Sequence, residues 1–285
     1  MIVKLYLDLA NRSEAFRIEH AQICEDAYLL DILSRDNCIL VRVEVAKNKF
    51  TSKATLKKLS KDSDYQVRCA VLYNTNVDEQ TVEQLAKDQD VIVRQTVAET
   101  REERKILAFL AEDKSTEVRK IVARKWSYGE SLLDKMAKDE SYLVRIEVAQ
   151  NWYISFETLQ KLEKDSDHRV RIAIAKSNTI QLILDQLADD ENPWVRRAVA
   201  QNVLTERGTL AKLSKDSRDE VRRAVAENPN TTTDILEQMV WDGDNDVLFA
   251  IIQNNNTSRR TLNILKEHKD ITIRTRTFNR IYQKS

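Results

Sequence analysis

Glycine and proline are scarce in this chain, with 3 and 2 among its 285 residues, against an average usage of roughly 7% and 5%. Turns, bulges and flexible linkers depend on those residues, so their shortage argues against β-rich folds and predicts short helices joined by tight connections. An excess of one charge sign is missing too. Lys plus Arg and Asp plus Glu number 46 each, a formal net charge of zero, so no global field draws the chain toward nucleic acid or a membrane. The three cysteines, Cys24, Cys38 and Cys69, have no CxxC spacing. That argues against a disulfide framework or a zinc site and predicts reduced, partly buried thiols in a cytoplasmic protein.

Long apolar runs are lacking as well: nowhere do 18 apolar residues follow one another, so no membrane-spanning helix is expected. Residues 1–10 are partly apolar, but Asp8 interrupts them and no small-residue cleavage site follows, a poor match to a secretory signal. His20, His168 and His268 are scattered and do not converge as metal ligands must. Gly-rich phosphate loops, Gly-x-Ser-x-Gly turns and His-Glu-x-x-His helices do not occur. The sequence therefore predicts neither catalysis nor a cofactor or metal.

What the chain has is a repeat, the feature that decides a fold before any local reading. Val-Arg recurs with its arginine at Arg42, Arg68, Arg94, Arg119, Arg145, Arg171, Arg196 and Arg222, in steps of 26, 26, 25, 26, 26, 25 and 26 residues. The same step leads to Leu248 and Arg274, making ten units. Nine and twelve residues before the arginine site stand apolar residues such as Leu30/Leu33, Leu133/Met136 and Leu262/Leu265, a spacing that places both on one face of a first helix.

After the arginine come pairs such as Val45-Ala46, Val148-Ala149 and Val225-Ala226. With the preceding valine they make an apolar stripe on a second helix. Asn48, Asn74, Asn151, Asn202 and Asn228 follow at the sixth position and are expected to end that helix in the left-handed conformation. Ser52, Asp78, Ser155 and Thr232 suit the next N-cap. Two helices of roughly 8 to 11 residues are too short to persist alone in water, so each unit must bury its stripe against its neighbours. The expectation is an all-α solenoid, or superhelix, of about ten two-helix repeats over 29–285, with residues 1–28 as N-terminal capping helices and the last repeat as the C-terminal cap.

Six residues before each arginine stands an aspartate, giving Asp36, Asp62, Asp88, Asp113, Asp139, Asp165, Asp190 and Asp216, with Asp242 preceding Leu248. A catalytic pair need occur only once, whereas this pair recurs in every layer. It is therefore expected to cap the second helix and to join Asp to Arg, within or between layers, as a structural ladder.

This Asp-x-x-x-x-Val-Arg arrangement between short helices resembles the HEAT repeat. Segments such as Ala226-Glu227-Asn228-Pro229-Asn230-Thr231, leading to Leu236, resemble the related leucine-rich repeat variant. The resemblance implies an α-solenoid and roles ranging from scaffolds and adaptors to bilin lyases and some DNA glycosylases. Two features of these relatives are missing. Cys24, Cys38 and Cys69 match no iron–sulfur spacing, and no single aspartate is marked out as a glycosylase carboxylate would be. No catalytic residue is carried over.

In HEAT-like proteins the second helices commonly line the concave surface, so the resemblance directs attention to their non-core positions, one and five residues after the arginine site. There the chemistry changes from unit to unit. Lys47, Tyr73, Lys120, Arg124, Ile146, Lys176, Arg197, Arg223 and Phe249 are the candidate partner-binding residues. Cations outnumber anions on this stripe, which suits an acidic partner. Its apolar members suit a protein or peptide better than a phosphate backbone, and nucleic acid is the alternative. Trp126 and Trp152 occupy equivalent loop positions in adjacent units and are either gap fillers or a second anchor.

Overall fold

The computed structural model describes residues 12–125, 130–177 and 180–282 and is all-helical, with 21 helices and no strand among the described residues. The first helices of the ten repeats are Ala27–Leu33, Lys53–Leu59, Glu79–Leu85, Arg104–Leu110, Glu130–Met136, Phe156–Leu162, Gln181–Leu187, Arg207–Leu213, Thr233–Met239 and Arg259–Leu265. The second helices are Ile39–Lys47, Tyr65–Leu72, Val91–Thr100, Thr116–Arg124, Tyr142–Ala149, His168–Ser177, Pro193–Gln201, Asp219–Glu227, Asn245–Gln253 and Ile271–Tyr282. Glu14–Ile23 precedes them.

Each first helix has 7 residues, shorter than the periodicity suggests. The reason lies in its last turn, which tightens to three-residue hydrogen bonds, as in Lys61 N–H to Lys58 O and Asp62 N–H to Leu59 O. The chain reaches the ladder aspartate in one turn and starts the second helix three residues later. Ser52, Asp78 and Ser155 cap their helices through the side chain as expected, whereas Thr232 occupies the cap position without that bond.

The core is the expected one. Leu30, Leu33, Leu56, Leu59, Leu107, Leu110, Leu210 and Leu213 from first helices and Val41, Val67, Val93, Val144, Val170, Val195 and Val221 from second helices are buried. Each contributes roughly 1.5–3 kcal/mol.

The chain divides into two compact units, residues 1–132 and 133–285. Within each, consecutive second helices pack side by side, while each first helix packs on the second helices that flank it in sequence. Glu14–Ile23 packs on Ile39–Lys47 in the same way that second helices pack on one another, and Arg17 pairs with Asp36 at 2.8 Å. The pre-repeat helix therefore extends the array. Cys24 is buried and Cys38 and Cys69 partly so, all as free thiols.

Candidate functional site

Two rows of polar groups fasten the layers. In the first, each ladder arginine reaches the aspartate of the following repeat: Arg42–Asp62, Arg68–Asp88 and Arg94–Asp113 in the first unit, and Arg145–Asp165, Arg171–Asp190, Arg196–Asp216 and Arg222–Asp242 in the second. The contact is a bidentate fork, for example 2.8 and 3.0 Å for Arg68 to Asp88. The third guanidinium nitrogen donates to the backbone carbonyl of the same repeat's aspartate, as Arg68 does to Asp62 O at 2.8 Å and Arg119 to Asp113 O at 2.8 Å. The aspartate in turn accepts the amide two residues on, such as Ser141 N–H on Asp139. Burial pushes the Asp62, Asp113, Asp216 and Asp242 carboxyls up, but the guanidinium and amide donors outweigh it and hold all four below the ordinary aspartate range. In the last repeat, His268 Nδ1 accepts the Asp270 amide in place of an aspartate oxygen.

The second row was not anticipated. Asn48, Asn202, Asn228 and Asn254 end their helices in extended backbone, with φ between −64° and −69° and ψ between 122° and 134°, not in the left-handed conformation. Their task lies between repeats. The buried Asn228 amide donates to Ala200 O at 2.7 Å and Asn202 O at 2.9 Å, while its own carbonyl accepts from Asn230 N–H at 2.8 Å. Asn74 does the same toward Ala46 and Asn48, and Asn254 toward Ala226 and Asn228. Each asparagine thus satisfies carbonyls that the preceding second helix leaves open at its C-terminus. Where it is replaced, Arg101 reaches Leu72 O and Lys125 reaches Arg101 O. The recurrence of Asn at one position was the available signal, but a local role explained it equally well.

The outward face of the second helices remains. Residues five after the ladder position, such as Lys47, Tyr73, Arg124 and Lys176, are exposed. Those one after it, such as Lys120, Ile146, Arg197 and Phe249, are half-buried between neighbouring helices, and Arg223 is exposed. Lys47, Tyr73, Lys120 and Arg124 belong to the first unit and Ile146, Lys176, Arg197, Arg223 and Phe249 to the second.

Three stripe cations pair with carboxylates on their own helix: Lys47 with Glu44 at 3.1 Å, Lys120 with Glu117 at 3.0 Å and Arg223 with Glu227 at 2.7 Å. Glu44 and Glu117 were missed because the face also includes positions two before and two after the arginine site, as 100° per residue requires. The Phe249 ring is covered by Arg276 at 3.9 Å.

Positions two before the arginine site also bring Leu143 and Trp194 onto this face in the second unit. There Ile146, Ile172 and Arg197 sit at equivalent positions of three successively packed helices, and the Arg197 guanidinium lies 5.5 Å from the Trp194 ring centroid. Among the described residues, Lys176 and Arg197 make no ion pair. Trp152, Trp194 and Trp241 are exposed. Trp126 lies outside the described residues. Among the described residues, no His, Cys, Asp and Glu cluster suited to a metal occurs and no helix is long and apolar enough to cross a membrane.

No family model and no curated protein matches the sequence. Among solved structures the chain is similar to a leucine-rich repeat variant with a novel repetitive structural motif, at 24% identity and a TM-score of 0.51, over 90% of this chain and 88% of that one. It is also similar to the YibA protein of Escherichia coli (18% identity, TM-score 0.35, 96% and 98% covered) and to an engineered protein (14%, 0.32, 99% and 99%). Only the first likeness is close enough to bear on architecture, and together with the layered helix pairs it shows the fold to be an all-α helical-repeat solenoid.

Proposed function

We propose that the protein is a non-catalytic interaction scaffold that binds a protein or peptide partner on the outward face of its second helices. The part of that face between Tyr142 and Glu227 is the most suitable. The observation that carries this reading is the contrast between two sets of polar residues. Ladder arginines, aspartates and asparagines are consumed by inter-repeat bonds, whereas Lys176 and Arg197 make no ion pair among the described residues and flank the half-buried Ile146 and Ile172 and the exposed Trp194.

An apolar strip edged by cations, with an exposed tryptophan, suits a partner that presents apolar side chains among carboxylates. Pairing of Lys47, Lys120 and Arg223 on their own helices weakens the positive field a phosphate backbone would need.

The test is partner capture with the intact chain, followed by the same capture with Trp194→Ala and Arg197→Glu. Both residues lie on the surface, so folding should persist. Loss of the captured protein supports the reading; unchanged recovery, or salt-sensitive capture of nucleic acid in its place, overturns it.

A further inference from the structure

One edge of the second unit gathers exposed apolar residues at positions that are polar in several other repeats. The residue eight after the ladder arginine is Asn76, Asn230 or Asn256 in other repeats, where its amide is tied to carbonyls of the preceding loop, as Asn256 is to Pro229 O at 2.7 Å and Thr231 O at 2.9 Å. At this edge the position holds Tyr153 and Leu204, both exposed. First helices elsewhere open on Lys53, Glu79, Arg104, Arg207 and Arg259, but here on Phe156, 44% exposed. Even a capping position is apolar: Ile180 stands where Ser52, Asp78, Ser155 and Ser258 cap their helices, and it makes no cap bond. Trp152, 80% exposed, completes the edge. Exposed apolar groups gathered this way, each replacing a polar residue that would help its own repeat, mark a surface meant to be covered.

Along this edge lies a groove of about 400 Å³ walled by Trp152, Ile154, Phe156 and Ile180, with Lys176 at its rim and no carboxylate in its lining among the described residues. The volume accommodates one large side chain and its flanking backbone. Its single charge is a cation without an ion pair among the described residues.

We infer that this groove is a docking site for a peptide segment that places an aromatic or branched aliphatic side chain next to a carboxylate. The side chain would enter between Trp152 and Phe156, and the carboxylate would meet Lys176. The groove adjoins the second-helix face around Trp194 and shares only Lys176 with it; Trp152, Phe156 and Ile180 belong to the groove alone.

The test uses the full chain and two fluorescent hexapeptide libraries, one pairing an aromatic or aliphatic residue with an adjacent Asp or Glu, the other identical but with Lys in place of the acid. The acidic library is expected to yield binders that weaken roughly tenfold or more with Trp152→Ala or Phe156→Lys. Lys176→Glu should shift preference to the lysine library, and Lys61→Glu, on the exposed surface of the first unit, should leave both unchanged. All four positions lie on the surface, and an unchanged circular dichroism melt confirms folding. Equal binding of the two libraries by the parent protein, or indifference to Trp152→Ala and Phe156→Lys, overturns the proposal. So does a concentration-dependent dimer, or binding to phosphatidylcholine vesicles, that the same two variants abolish, because the groove's occupant would then be a second copy or a lipid surface.

Discussion

Arg145 joins two repeats at once: its Nε and Nη2 donate to the Asp165 carboxylate of the next repeat at 2.7 and 2.9 Å, and its Nη1 donates to the Asp139 carbonyl of its own at 2.7 Å. Arg145→Ala therefore strands Asp165, not Asp139, with a side chain only 7% exposed. Breaking a buried pair from one side costs on the order of 3–5 kcal/mol. Chemical denaturation should show that loss and should show much of it recovered in Arg145→Ala/Asp165→Ala, since the second change removes the stranded charge. A double variant no better than the single one would mean that Asp165 does not sense Arg145.

Asn228 distinguishes an inter-repeat clasp from a local helix stop. Removing its amide leaves Ala200 O and Asn202 O without that donor, a cost of roughly 1–3 kcal/mol. Asn228→Gly and Asn228→Ala should be similarly destabilised in urea titrations. A left-handed terminator would behave differently, because glycine accepts that conformation without strain and would be nearly neutral.

The ladder carboxylates set the acid limit of the fold. Asp62, Asp113, Asp216 and Asp242 lie below their ordinary range in the folded protein. Their contribution is complete above the unfolded-state pKa of roughly 4 and disappears as pH falls through the lower folded values. The melting temperature should fall steeply below about pH 4. Asp113→Asn should lower stability at pH 7 and flatten that acid limb in thermal melts.

Glu163 has the opposite sign. It ends its first helix, buried, where other repeats place small residues such as Ser60, Ala86 and Ala188, and burial pushes its carboxyl above the ordinary glutamate range. The Gln186 amide, oriented with its nitrogen toward the carboxyl, meets Oε1 at 2.7 Å, and the Lys164 amine is 3.9 Å away. A raised folded pKa gives stability at low pH that is lost as pH rises through that value. Glu163→Gln should thus raise the melting temperature at pH 7 by an amount equivalent to about 1 kcal/mol, and the gain should vanish toward pH 4. An equal gain at both pH values would show the effect to be packing rather than ionisation.

Thr81 Oγ1 is buried without a hydrogen-bond partner among the described residues. Its equivalents Thr55, Thr158 and Thr209 donate to Asp31, Asp134 and Asp185 of the preceding first helix, but Lys57 occupies that place before Thr81. Thr81→Val should be neutral or stabilising by up to about 1 kcal/mol. Thr158→Val should be destabilising in the same denaturation assay.

Much of this was legible in the residues. Leu30, Leu56, Val67 and Val221 recur at helical spacing, and the interior they form is the one observed. The covering of Phe249 by Arg276 and the pairing of Lys47 with Glu44 were not legible. Periodicity shows which way a side chain points but not which long neighbour folds over it.

By itself the sequence determined the helix pairs, their repeat and their core, because burial of an apolar stripe follows from local spacing. Only the tertiary structure decided which aspartate each arginine meets. Arg42 stands 6 residues after Asp36 and 20 before Asp62, and an almost unvarying period contains both pairings equally. The stacking of one layer on the next placed the guanidinium fork on Asp62 and left Asp36 only its carbonyl. The same stacking turned the asparagines into inter-repeat clasps and brought Trp152, Phe156 and Ile180 to the edge of one groove.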